Sequence, residues 1–271
     1  MLELWGTLPD GDVVASTVDA SGRMIALYAD GTLLVDGTPS GRVTDPGRYP
    51  MIDAAGEGFV LVDSRCRVRS GHEAPRNGRI LDAAGRTVTE FHAGDGIEAV
   101  VTGPGGDIWI SYFDVATILD GGELRNHPGL IRWTTTGEPA WRAEHEPGLY
   151  WMDCYVLNVA ERRTWAVPYT ALPLVEVGLD GVRSVRKSPL RRPHGVAVSG
   201  AEAVFLSKAG EYGSYYWHLE PARLTEDEVV PGDPVPLALP DGTGLGKPLR
   251  WVCRGDRIWL LQGHTWYVLR L

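Results

Sequence analysis

An all-β fold is predicted by three features of this sequence. Apolar residues fall in short alternating or compact runs bounded by Gly, Asp and Pro, the pattern of strands and turns. Recurrence at three and four residues, which a helix needs to present one apolar face, is nearly absent over any long window. The third feature is repetition: a strand, turn, strand, strand rhythm recurs six times at about 45 residues, the period of a propeller blade. The 34 Gly and 19 Pro are spread along the chain and form no single linker, so one β-propeller domain over residues 1–271 is expected.

The units come in order. VVASTVDASGRMIALYADGTLLVDG, from Val13, supplies strands divided by DASGR and ADG turns. YPMIDAAGEGFVLVDSR, from Tyr49, continues as GRILDAAGRTVTEF. GIEAVVTGPGGDIWISYFD, from Gly96, is completed by GLIRWTTTGEPAW after more than a dozen irregular residues. The fourth unit is WMDCYVLNVAERRTWAVPYTALPLVEVGLDGVRSVR, and the fifth is PHGVAVSGAEAVFLSKAGEYGSYYWHLE. PLRWVCRGDRIWLLQGHTWYVLRL ends the chain. Thr17 to Ile25, Met51 to Phe59, Val100 to Ile108, Val156 to Thr164 and Val196 to Val204 repeat one interval between first and second strands; Val252 to Ile258 is shorter.

The last unit stops after a third strand, while LELWGTL at the start has no partner in the first. Pairing the opening strand into the last unit would remove an exposed edge and close a six-bladed ring. Weak unit boundaries leave five or seven blades open. The best helical stretch, LEPARLTEDEVV at 219–230, would make at most one short surface turn or helix.

Composition narrows the function. With 44% hydrophobic and 23% charged residues and a mean hydropathy of -0.12, the chain reads as soluble and globular. Its net charge of -9 argues against nucleic-acid or anionic-membrane partners, which need concentrated Lys and Arg. RSVRKSPLRR at 183–192 reads as a solvated outer strand and turn. Without a basic lead and an unbroken apolar run at the start, a cytoplasmic location is expected. Cys66, Cys154 and Cys253 are few, odd in number and far apart, so neither a disulfide framework nor a zinc knuckle is expected; Cys154 and Cys253 read as buried thiols.

The segments quoted above resemble blades of the NHL and SMP-30/gluconolactonase type of six-bladed propeller, and loosely those of WD40 type. GIEAVVTGPGGDIWISYFD with GLIRWTTTGEPAW is similar to uncharacterised bacterial propeller proteins that carry an IWVSYFD-like strand end, a variable loop and a GLVCFD-like strand. The resemblance is sharpest over residues 95–141. It implies the fold and carries no activity.

In such a fold, residues that lead into first strands share a face with residues that close second strands. The first group contains Tyr49, Glu98, Trp151, Asp153, His194, Arg250 and Trp251; the second contains Tyr28, Asp63, Tyr112, Asp114, Tyr169, Lys208, Gln262 and His264. This mixture suits a small polar or aromatic molecule: carboxylates orient donors, Arg250 or Lys208 grips an anion, and Tyr and Trp cover apolar faces. The long loop after Asp114 would be a lid. A protein partner is the other binding reading, with GEYGSYYWH at 210–218 as its loop. Structural use competes with every member, since buried polar groups in a channel can satisfy one another.

Two enzymatic readings stand beside binding. Resemblance to SMP-30-like lactonases implies a metal-dependent hydrolase with Glu98, Asp114, Asp153 and His194 as candidate ligands. RRPHGVAV is similar to the PNGLA-type segment of those enzymes, yet His194 replaces the expected amide, and the first unit offers Asp12, Val13 and Val14 where a glutamate is expected. Metal-free acid–base chemistry would use Glu98 or His194 as base and Lys208 or Tyr112 as acid. GTGLGK at 242–247 lacks the Ser/Thr and helix of a phosphate loop and reads as a connection. No cofactor is specified.

Overall fold

A computed structural model of the chain describes residues 1–66, 73–113, 128–144, 148–191, 193–210, 216–246 and 250–271. These residues contain strands and no helix. The strands are β1 (Glu3–Thr7), β2 (Val13–Val18), β3 (Met24–Tyr28), β4 (Thr32–Val35), β5 (Thr38–Arg42), β6 (Pro50–Ala55), β7 (Gly58–Asp63), β8 (Gly78–Leu81) and β9 (Thr87–Phe91). They continue as β10 (Ile97–Thr102), β11 (Ile108–Tyr112), β12 (Leu130–Trp133), β13 (Pro139–Arg142), β14 (Cys154–Val159), β15 (Thr164–Pro168), β16 (Leu174–Gly178) and β17 (Gly181–Arg186). The last are β18 (Pro193–Ser199), β19 (Glu202–Ala209), β20 (Tyr216–Leu224), β21 (Val229–Pro231), β22 (Val235–Pro236), β23 (Arg250–Arg254), β24 (Arg257–Gln262) and β25 (Thr265–Arg270). Two compact units result, one of Leu8–Cys154 and one of Met1–Thr7 with Tyr155–Leu271.

The unit of Leu8–Cys154 holds three four-stranded meanders, β2-β3-β4-β5, β6-β7-β8-β9 and β10-β11-β12-β13. Its middle strand β7, GFVLVD, shows why the apolar runs are unbroken. Phe59 and Leu61 join Ala15, Ile25, Leu27 and Leu33 in one core. Val60 and Val62 join Val100, Ile108, Ile110 and Trp133 in the next. Alternate side chains of a strand face opposite ways, so a strand between two cores is apolar at every position. Burying each such side chain contributes roughly 1.5–3 kcal/mol.

The unit of Met1–Thr7 with Tyr155–Leu271 repeats the scheme. β18-β19-β20-β21 forms one sheet, with β22 added along β20. The other order is β1-β25-β24-β23-β14-β15-β16-β17, two meanders joined by one parallel bridge between Asn158 and Cys253. The opening segment pairs antiparallel with the last strand, Glu3 opposite Val268 and Thr7 opposite Thr265. Asn158, fully buried, secures the bridge. Its Nδ2 donates to the Val196 and Gly255 carbonyls at 2.6 and 2.8 Å, and the Gly255 N–H donates to its Oδ1 at 2.7 Å. Residues 183–186 of the basic segment fall in outer strand β17, as their polarity suggests, and Arg186 reaches Glu176 at 3.4 Å.

The segment 219–230 departs from expectation: it forms no helix. It is the end of β20, a turn and β21, with Leu224 opposite Val229. Pro221 has no N–H for a helix interior, and Ala222, Leu224 and Val229 are all drawn into one core.

Within a four-stranded meander, the first and third turns share one end; the second turn and the connection from the previous sheet share the other. Turns at the first end satisfy themselves. In DASGR, Asp19 Oδ1 accepts the Ser21 and Arg23 amides at 2.8 and 2.9 Å, and Arg23 Nε donates to Oδ2 at 2.8 Å. DAAGR repeats this with Asp82 and Arg86, the Nε donating at 2.7 Å. In TTTGE, Thr134 Oγ1 takes the aspartate's place, accepting from the amides of Thr136 and Glu138. The glycine fourth in each turn, Gly22, Gly85 or Gly137, has φ of 84°, 80° and 80°, a region closed to most side chains.

Candidate functional site

Register shifts occur beside the third turns of the meanders, and at the other end they fall in the first strands. Along β10 the register jumps from Ile97 opposite Tyr112 to Ala99 opposite Ser111, leaving Glu98 as an extra residue. Along β18 it jumps from Pro193 opposite Ser207 to Gly195 opposite Leu206, leaving His194 extra. Val14 of β2 is extra in the same way. A bulge bends its strand and re-aims the inserted side chain, and bulges gather beside functional sites. Gly195 lets β18 carry its bulge close to β23: a Cβ there would lie 2.8 Å from Cys253 Sγ.

In the Leu8–Cys154 unit, the structure brings Glu98 and Asp153 under each other's influence. Glu98 is open to solvent at its surface while Asp153 is buried. Protein crowding around Glu98 withdraws water and pushes its carboxyl above the ordinary 4.5, and the Asp153 carboxylate adds to the rise. Trp151 is fully buried, its carbonyl so close to Gly129 that a Cβ there would sit 2.7 Å away. Asp114 lies outside the described residues.

Tyr112 lies in the core. Its ring is fully buried in the core with Ile108 and Ile110, and its hydroxyl donates to the Ala93 carbonyl at 2.6 Å. Burial drives its pKa up. Core packing is the use the structure shows for this tyrosine. Asp63 is also occupied by backbone, accepting the Arg48 amide at 2.8 Å. Tyr49 remains exposed, with the Arg48 guanidinium 5.1 Å from its ring centroid. Tyr28 donates its hydroxyl to the Pro9 carbonyl. It walls a shallow recess of about 440 Å³ that is also lined by Asp10, Asp12 and Asp30.

The unit containing Tyr155–Leu271 brings more of the candidates together. His194 meets Trp217 and Trp251 edge to face at 5.3 and 5.5 Å between centroids, and the two indoles lie 5.6 Å apart. Lys208, opposite Trp217 in the β19–β20 pairing, holds its ammonium 5.6 Å from that ring's centroid. Arg250 sits beside Trp251 in sequence, and burial lowers its pKa. Tyr169 and Tyr155, both exposed, meet edge to face at 6.1 Å. His264 occupies the tight turn between β24 and β25 after Gly263, whose φ of 60° suits the first position of such a turn. Burial pushes the Cys253 thiol up to about 12, which makes it a poor nucleophile.

Trp217 and Tyr155 are absent from the face assembled by sequence. A signal for Tyr155 existed: Tyr155, His194 and Trp251 are each the second residue of a first strand, in β14, β18 and β23. Trp217 could be found only through its pairing with Lys208. As for metal, no three His, Cys, Asp or Glu side chains among the described residues form a group able to hold an ion.

No protein-family model and no curated protein sequence matches the chain. Solved structures do. The β-propeller domain of Cps50 (Swd1) from Myceliophteria thermophila is similar over 100% of both chains, with 7% identity and a TM-score of 0.57. Hydrazine synthase of Kuenenia stuttgartiensis is similar over 95% of this chain and 76% of its own, with 11% identity and a TM-score of 0.61. Apo AztD from Citrobacter koseri, at 14% identity and a TM-score of 0.48, matches 94% of this chain, which spans 65% of AztD's length. Identities this low speak to the fold alone. The chain is all-β, built of four-stranded sheets, and resembles β-propellers.

Proposed function

We propose that the six meanders are blades of one six-bladed propeller, closed by the pairing of β1 with β25, and that its channel mouth binds a small polar or aromatic molecule in the cytoplasm. The observation that carries this reading is the meeting of His194, Trp217, Trp251 and Lys208 at the bulged end of β18. Rigid aromatic faces beside a cation are what a small ligand with both flat and polar parts requires. A thermal-shift screen with metals, lactones, sugars and aromatic metabolites tests it, because a ligand bound only by the folded state raises the melting temperature. One compound class is expected to stabilise the protein, and Trp251→Ala to abolish that shift. Hits whose shifts survive both Trp251→Ala and Glu98→Ala would place the site elsewhere.

Hydrolysis is the second reading, favoured by Glu98 alone, a carboxyl that keeps its proton more tightly than usual beside Asp153. Such a group could donate a proton to a leaving oxygen. Lactone turnover lost in Glu98→Gln would support it.

A further inference from the structure

We propose that the recess beside Tyr28 holds a small organic ammonium ion. None of its residues belongs to the cluster around His194, so the inference goes beyond the ligand-binding reading above and does not depend on it. The recess measures about 440 Å³, a size that takes a small molecule, and lies within the unit of Leu8–Cys154. Its wall is apolar: the Tyr28 ring and Leu34 are both buried, and Pro9 also lines it. The ring is fixed from two sides. Its hydroxyl donates to the Pro9 carbonyl at 2.7 Å, and the chain at Gly11 passes so close that a Cβ there would lie 2.6 Å from Cε1. A wall already held in place needs little ordering when a guest arrives.

The charges around this wall are negative. Asp10, Asp12 and Asp30 line the same recess. The Thr32 amide first, then the Thr32 hydroxyl, holds Asp30 below the ordinary carboxylate range. Arg42 offsets Asp30 in part: its Nη2 donates to the Asp30 carbonyl at 2.6 Å and lies 3.8 Å from Oδ2. Asp10 and Asp12 form no ion pair among the described residues. After burial, the Asp10 carboxylate raises the pKa of Tyr28 further, so its field reaches the ring. Two carboxylates without a cation, set around an aromatic and aliphatic wall, complement a guest with a positive charge and an apolar body. A bare metal ion would leave Leu34 and the Tyr28 ring unused, and an anion would be repelled by the rim. The ring face itself attracts a cation.

The test is titration of the full chain at low salt with benzyltrimethylammonium, read by calorimetry and by NMR of the ligand. Benzyl alcohol serves as the neutral ring and tetramethylammonium as the cation without a ring. Benzyltrimethylammonium is expected to bind, with each control weaker by about tenfold. Asp10→Asn and Asp12→Asn should each weaken the cation by about threefold, and the two together by about tenfold, with benzyl alcohol unchanged. Asp241→Asn removes an exposed carboxylate that does not line the recess and should leave binding as it is. Either control binding as tightly as benzyltrimethylammonium would overturn the proposal. Equal losses in Asp241→Asn and Asp12→Asn would mean that the net charge of -9 attracts the cation without the recess, and would overturn it as well. So would the absence of binding by benzyltrimethylammonium.

Discussion

Asp82 and Glu98 lie at opposite ends of the path that β9 traces through one compact unit, and their carboxyls are driven in opposite directions. At the end of short turns, the Arg86 amide first of all, then its side chain, holds Asp82 below the ordinary carboxylate range. At the end where first strands begin, desolvation holds Glu98 above it. The same division separates Asp19, wholly engaged by its own turn, from His194, re-aimed by a bulge into a group of indoles. One end spends its polar side chains on holding the chain's shape. The other holds such groups too, Asp30 and Asp63 among them, as well as Glu98 and His194, which bulges re-aim.

Three substitutions sharpen that contrast. The largest effect is expected from Asn158→Ala, which deprives two carbonyls and one N–H of their partners. It should cost about 3 kcal/mol in urea unfolding, taking about 1 kcal/mol for each hydrogen bond. A loss below about 1 kcal/mol would mean that the bridge between β14 and β23 does not hold that sheet together. Tyr112→Phe should cost about 1 kcal/mol through the lost bond to Ala93, with ligand shifts unaltered. An altered ligand response would return Tyr112 to the site.

Glu98→Gln should act by sign more than size. Folded Glu98 holds its proton above pH 4.5, where the unfolded chain has released it, so wild-type stability falls as pH rises through the window between the two values. Glutamine has no such proton. The variant should match the wild type at low pH and become the more stable one above that window, as thermal melts at several pH values would read. A variant less stable at pH 7 would show that the Glu98 carboxylate is stabilised in place.

Much of this was legible in the sequence, for reasons particular residues make clear. FVLVD and IWISY announce strands buried on both faces, and DASGR recurs as DAAGR because one turn geometry recurs. Tyr112 could have been assigned to the core, since it shares alternation with Ile108 and Ile110. Glu98 and His194 were visible as polar residues at strand starts. Their bulges were not, because a register jump depends on partner strands and on close approaches such as Gly195 to Cys253. Segment 219–230 was the best helical stretch, although Pro221 already argued against a helix. Trp217 and Lys208 come together only across β19 and β20, so no local pattern marks them.

The separation of the two ends is tested most directly by a crystal structure of the protein grown with a compound that raises its melting temperature. Density for that compound against Trp251 and His194 is the predicted result. Density at the Asp19–Arg23 or Asp82–Arg86 turns, with the indole cluster bare, would contradict the account.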